Sequence, residues 1–127
     1  MKKHALTIIL LLLSGSMVFP QIPTDSLYLG QTPPGVVPQI FHLPVDSNYF
    51  AAERIAISDD GTEILYSALK GYYPAKSPVI KHFSYTGYKW TGPFSLFTGF
   101  LAPGFTVSSD TVFIQNGATP DETYVSV

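Results

Sequence analysis

Residues 54–67 read RIAISDDGTEILYS and decide the fold, because two apolar arms flank a polar turn in the pattern of a β-hairpin. Ile55 and Ile57 alternate on the first arm, Asp59, Asp60 and Gly61 make the turn, and Ile64, Leu65 and Tyr66 form the second arm. Asp60 stands where a carboxylate accepts backbone N–H groups inside the turn, and Gly61 supplies the positive φ that the turn needs. A shorter echo occurs at residues 104–116, GFTVSSDTVFIQN, in which Ser108 falls 50 residues after Ser58 and Phe113 falls 48 after Leu65. A strand, turn, strand unit recurring at that period predicts a repeat architecture rather than a single closed domain.

Outward from the hairpin, residues 79–85 read as a third strand, Thr86-Gly87 as a turn, and residues 88–90 as a weaker fourth strand ended by Gly92-Pro93. The loop at 69–77 carries Tyr72, Tyr73 and Lys76. Residues 49–101 thus form a first unit of four antiparallel strands, the size of one propeller blade. Residues 102–127 start a second unit and reach a third strand at 123–127 without a fourth. That reads as an incomplete blade, at a fragment boundary or in a truncated gene product. In residues 17–48, Pro20, Pro23, Pro33, Pro34, Pro38 and Pro44 forbid a helix and a central strand alike. This is an extended lead-in, either a linker or a strap docked on the first unit.

The bulk numbers agree with an all-β chain. It has 127 residues, 46% hydrophobic and 13% charged, with eleven prolines and ten glycines that interrupt every long helical pattern. Cysteine is absent, so disulfides and thiolate metal sites are excluded. Lys2 and Lys3, the apolar run 5–13 and Ser14-Gly15-Ser16 read as a signal peptide over 1–16, with an uncleaved interfacial anchor as the alternative. The run is too short for a transmembrane helix, which needs roughly 20 apolar residues. No Cys comes after it, which excludes a lipoprotein anchor. The signal predicts export to the periplasm or the medium. Removing 1–16 takes two lysines and no acid, leaving five cationic against nine acidic side chains, a net charge of about −4. The remaining Arg54, Lys70, Lys76, Lys81 and Lys89 are scattered, which argues against nucleic acid.

Catalytic chemistry finds no motif. There is no G-x-S-x-G elbow and no glycine-rich phosphate loop. Asp59, Asp60 and Glu63 crowd oxygen ligands but miss the alternate spacing of a calcium loop, so a turn-capping Asp60 is expected and no metal or other cofactor. His42 and His82 lack a second ligand at metal spacing, and His82, alternating with Ile80, reads as a half-buried, hydrogen-bonded side chain. Tyr72, Tyr73, Lys76 and Trp90 are the candidate binding residues; the strand aromatics Tyr85, Tyr88 and Trp90 could join a stacking platform, though aromatics on strands more often serve blade packing.

The hairpin RIAISDDGTEILYS resembles the WD-like β-propeller repeat of TolB-type proteins, whose signature is a Ser-Pro-Asp-Gly turn between two such arms. Ser58, Asp60 and Gly61 match it, with Asp59 in place of the proline. In the second unit Ser108 and Asp110 match, with Ser109 for the proline and no glycine. VIKHFSYTGYKWTGPFSLF at 79–97 is similar to the outer hairpin of that family, and YLGQTPPG at 28–35 to the lead-in of secreted bacterial propellers. The resemblance implies a non-enzymatic module that binds a protein or peptide in the cell envelope through loops at one mouth of the blade stack. Two other readings stay open: the N-terminal propeller of a hydrolase or peptidase whose catalytic part lies elsewhere, and a small carbohydrate-binding β-sandwich.

Energetics sharpen the repeat reading. Four strands of about five residues present a face of roughly 300 Å², worth on the order of 8 kcal/mol when mostly apolar and removed from water. Net domain stabilities are only about 5–15 kcal/mol. Bare outer faces are therefore expected to make the isolated chain marginal, or to be covered by further repeats or by self-association.

Overall fold

The computed structural model describes residues 22–33, 35–71, 74–106, 108–119 and 122–126. The expected signal peptide and the pair Tyr72-Tyr73 lie outside the described residues. Among these residues, seven strands come after a 3-10 turn at Leu27–Gly30: β1 (Phe50–Ile57), β2 (Glu63–Leu69), β3 (Val79–Thr86), β4 (Lys89–Thr98), β5 (Phe100–Phe105), β6 (Val112–Asn116) and β7 (Thr123–Ser126). They form two antiparallel sheets in sequential order, β1-β2-β3-β4 and β5-β6-β7. No α-helix occurs among the described residues, and no helix is long and apolar enough to cross a membrane.

β2 explains the layering. Its sequence EILYSAL leaves almost no polar face, and every residue from Ile64 to Leu69 is buried. Successive side chains point to opposite sides of a sheet. Ile64 and Tyr66 therefore join Phe83 on a front face, covered by Leu29 and Leu43 of the lead-in and by Trp90. On the back face, Leu65, Ala56 and Ile80 pack against Ile114, Phe100, Phe105 and Val112 of the second sheet. Ser67, the one polar residue in the middle of β2, is fully buried on that side, and its Oγ accepts the Ala102 N–H at 2.8 Å.

The described part of the lead-in, residues 22–33 and 35–49, is a docked strap. Gln31 clamps the strap to itself, its Nε2 donating to the His42 carbonyl (2.8 Å) and its Oε1 accepting the His42 N–H (2.9 Å). Three further bonds fix the strap to the front of the first sheet. The Trp90 indole N–H donates to the Ser26 carbonyl at 2.7 Å, the Tyr66 hydroxyl donates to the Pro44 carbonyl, and Lys81 Nζ reaches Asp46 Oδ2 at 2.7 Å. Lys81 is buried on an otherwise apolar face, so Asp46 and Ser95 Oγ, at 3.2 Å, are the partners that make its charge tolerable there.

Two boundaries differ from the sequence expectation. The fourth strand does not stop at Gly92-Pro93 but runs on to Thr98. β4 is the outer edge of its sheet, where a proline without an N–H interrupts no ladder, and register shifts absorb the irregularity. Gly92 is required there: it sits at φ +120°, and a Cβ would lie 2.5 Å from the His82 carbonyl oxygen. The second unit starts at Phe100, two residues before the expected 102, because Phe100 and Leu101 already pair with Asn116 and Gln115.

Two outcomes are expected. Ser67→Ala strands the buried Ala102 N–H and lowers the urea-unfolding free energy by about 1–3 kcal/mol, the usual cost of an orphaned donor, while conservative Ser67→Thr tests whether the hydroxyl alone restores it. The Tyr66 hydroxyl is pushed up to about 12 by burial and then by the Asp46 charge. A pKa raised in the folded state means that its stability contribution is intact below the ordinary value of 10 and is lost as pH rises from there towards 12. Spectrophotometric titration should show one late tyrosine, absent in Tyr66→Phe.

Candidate functional site

Two places bring polar and aromatic side chains together: the turns at one end of the sheets, and a groove between the strap and the front of the first sheet.

At the first turn, Asp60 Oδ1 accepts from Ser58 Oγ (2.7 Å), the Thr62 N–H (3.0 Å) and Thr62 Oγ1 (2.8 Å). These donors, led by the Thr62 N–H, hold its carboxyl below the ordinary range. Ser58 Oγ in turn accepts the Glu63 N–H at 2.9 Å, and Gly61 takes φ +74°. At the second turn Asp110 Oδ1 accepts from Thr106 Oγ1 (2.8 Å) and Thr111 Oγ1 (3.0 Å). Its carboxyl is lowered by Ser108 first, then by Thr106 and Thr111.

The backbone aligns the two turns differently from the Ser-x-Asp letters. Ser58 N–H bonds the Glu63 carbonyl and Gly61 N–H the Ser58 carbonyl; the same two bonds recur 48 residues later from Thr106 N–H to Thr111 and from Ser109 N–H to Thr106. Thr106 therefore holds the position of Ser58, Ser108 that of Asp60, and Ser109, at φ +57°, that of Gly61. Asp110 sits two places further on and still gathers the hydroxyl that opens the turn. The turns touch: the Asp59 N–H donates to Ser109 Oγ at 2.6 Å. Their carboxylates are occupied by hydroxyls and amides, and no group of three metal-ligating side chains occurs among the described residues.

The binding candidates do not converge. Trp90 lies in the β3–β4 hairpin, opposite Tyr85, at the same end of the sheet as the Asp60 turn. Lys76 lies in the β2–β3 loop, bridged to Gly71, at the far end of a seven-residue strand, about 20 Å away by strand rise. Tyr72 and Tyr73 fall outside the described residues. Trp90 is half-buried, with its indole N–H taken by Ser26 and its ring edge-on to Tyr85 at 5.3 Å between centroids.

Sequence reading missed the groove. It encloses about 420 Å³ between the strap, which contributes Leu27, Tyr28 and Ile40, and the sheet, which contributes Ile55, Ile57 and Trp90. Ile55 and Ile57 remain 44% and 55% exposed there, although they alternate like core residues. No periodicity in a proline-rich strap announces which half of a sheet it will cover. Such a concave, uncharged lining suits an apolar side chain or peptide segment.

The other polar cluster is Glu63, His82 and Ser84 on β2 and β3. His82 Nε2 bonds Glu63 Oε2, and Ser84 Oγ donates to Glu63 Oε1 at 2.8 Å. The carboxylate is the hub and the serine faces it rather than the imidazole, so the cluster lacks the nucleophile and base contact that acyl transfer requires.

Comparison with known proteins gave no match: no family model, curated sequence or solved structure resembles the chain at a significant level.

Asp60 gives a testable pH dependence. Its lowered carboxyl contributes stability that is fully present above the ordinary value of 3.8 and is lost as pH falls through the lower folded value. Acid unfolding monitored by circular dichroism should therefore steepen in that window for the native chain and be shallower for Asp60→Asn.

Proposed function

We propose that this chain is an exported, non-enzymatic binding module of the β-propeller type, built from a repeat of 48 residues and receiving a protein or peptide partner in the cell envelope or outside the cell. The observation that carries the reading is the sense of the stacking. Val112, Phe105 and Ile114 correspond to Ile64, Ile57 and Tyr66 one period earlier, and they form the front of the second sheet, packed on the back of the first. A two-sheet sandwich buries two inner faces against each other and leaves both outer faces for water. Here the second unit turns its front to the back of the first, the relation on which stacked blades depend. The bulges support it as well. Each opening strand shifts register before its turn, between Ala52 and Ile55 and between Leu101 and Gly104, with a non-glycine residue at positive φ, Glu53 and Ala102.

The groove beside Trp90 is the place where an apolar peptide segment fits. The chain has a single tryptophan, so its fluorescence reports occupancy of that groove directly. Titration with apolar, aromatic-rich peptides should shift the Trp90 emission saturably, and Ile57→Asp should weaken the response at least tenfold. A saturable response to glycans with none to peptides would instead favour the carbohydrate-binding reading.

A further inference from the structure

β1 is an outer strand of its sheet and pairs with β2 alone. The direction of its backbone groups follows from the turn beside it. The Ser58 N–H donates across the hairpin to the Glu63 carbonyl. In an antiparallel ladder successive residues turn their N–H and C=O alternately towards the partner strand and away from it. Ala56 therefore bonds Leu65, while Ile55 and Ile57 each direct an N–H and a C=O to the open edge. These outward groups have no hydrogen-bond partner among the described residues.

The edge lies in a slot. In front runs the groove, walled by the strap and by the side chains of Ile55 and Ile57. Behind, a second hollow of about 460 Å³ opens between residues 54–57 and residues 103–106. Both outer walls, the strap and the second sheet, belong to this chain, so the edge is bordered rather than bare. The two hollows differ in character. The groove has an uncharged lining, whereas the hollow behind contains Arg54 and Asp59. The Arg54 guanidinium stretches alongside Gly104, its Nη1 3.8 Å from where a Cβ of that glycine would stand, and no carboxylate pairs with it among the described residues.

We infer that the β1 edge is a strand-addition site: an extended peptide segment joins the first sheet beside β1, with its backbone bonded to Ile55 and Ile57. The inference rests on the groove reading above and says how the peptide is held. Successive side chains of a strand point to opposite faces, so those of the added segment fall alternately into the groove and into the hollow behind. The partner therefore alternates apolar residues, seated against Ile55 and Ile57, with polar ones, and an acidic residue among the polar ones answers the charge of Arg54. Main-chain bonds supply affinity in this mode of recognition, and the alternate pockets supply selectivity.

The probe is an acetylated, amidated heptapeptide that alternates valine with threonine and carries one glutamate in place of a threonine. It is titrated against the whole chain with Trp90 emission as the readout, since that indole lines the groove. Two further peptides carry backbone N-methyl groups, one on the valines and the other on the residues between them. Only alternate N–H groups of an added strand face β1, so one methylated peptide binds about tenfold more weakly, having lost its main-chain donors, and the other binds as the parent does. Which of the two fails reports whether the addition is antiparallel or parallel. Equal binding by all three peptides overturns strand addition and leaves the groove reading standing, because side chains then suffice. Equal loss with both methylated peptides overturns it too. Absence of a saturable response to the parent and to aromatic-rich peptides alike removes the groove reading as well. A peptide with lysine for the glutamate is expected to bind several-fold more weakly, a difference that Arg54→Ala abolishes; equal binding of the two refutes the acidic partner of Arg54. A free chain that sediments as a dimer which the peptide does not dissociate gives the edge to a second copy and overturns the proposal.

Discussion

The residues of β2 tolerate water on neither side. Ile64, Tyr66 and Ala68 need cover in front, and Leu65, Ser67 and Leu69 need it behind. A strand that is apolar on both faces belongs in the middle of a layered structure, and each other part of this chain answers to that requirement. β1 and β3 flank it in the sheet, the strap crosses the front, and the second sheet closes the back. Ser67 is the point at which this arrangement is specified as well as stabilised. Its buried hydroxyl is satisfied only when the β5 bulge brings the Ala102 N–H to it, which fixes how the sheets meet.

The strap solves in front what the second sheet solves behind, with different means. A proline-rich segment has few N–H groups to add to a ladder, so it docks through side chains and single hydrogen bonds: Trp90 to Ser26, Tyr66 to Pro44, Lys81 to Asp46. This covers Ile64, Tyr66 and Phe83 but leaves the β1 margin, Ile55 and Ile57, open to the groove. The groove is what remains of a sheet face when an irregular segment takes the place of a regular layer.

The paired turns share one backbone hydrogen-bond pattern while differing in their letters. Gly61 and Ser109 both hold positive φ, one without steric cost and the other through a residue for which that conformation is less common. When the turns are aligned by their backbone bonds, Asp60 and Asp110 fall two residues apart, yet each gathers the hydroxyl at the opening of its turn. What the two turns have in common is the satisfaction of the turn's donors, not the identity of any single position.

By itself, the sequence determined the strand content, the hairpin at 54–67, its echo and the lack of a catalytic motif, because alternation and turn residues are local signals read within a few positions. The capping role of Asp60 belongs to the same class, since its partners lie within two residues. Only the tertiary structure decided that β4 runs through Gly92-Pro93, since that depends on its lying at a sheet edge. It also decided that the two turns align at a spacing of 48 residues rather than 50, because backbone hydrogen bonds and not side-chain letters align them. Trp90 and Lys76 are both candidate binding residues by sequence, one among the strand aromatics and one in a loop, but the antiparallel path of β2 and β3 sends them to opposite ends. The groove lay beyond sequence reading altogether. Whether an alternating isoleucine ends in a core or in an open cleft depends on how far a separate, aperiodic segment reaches across it, and that is settled by packing.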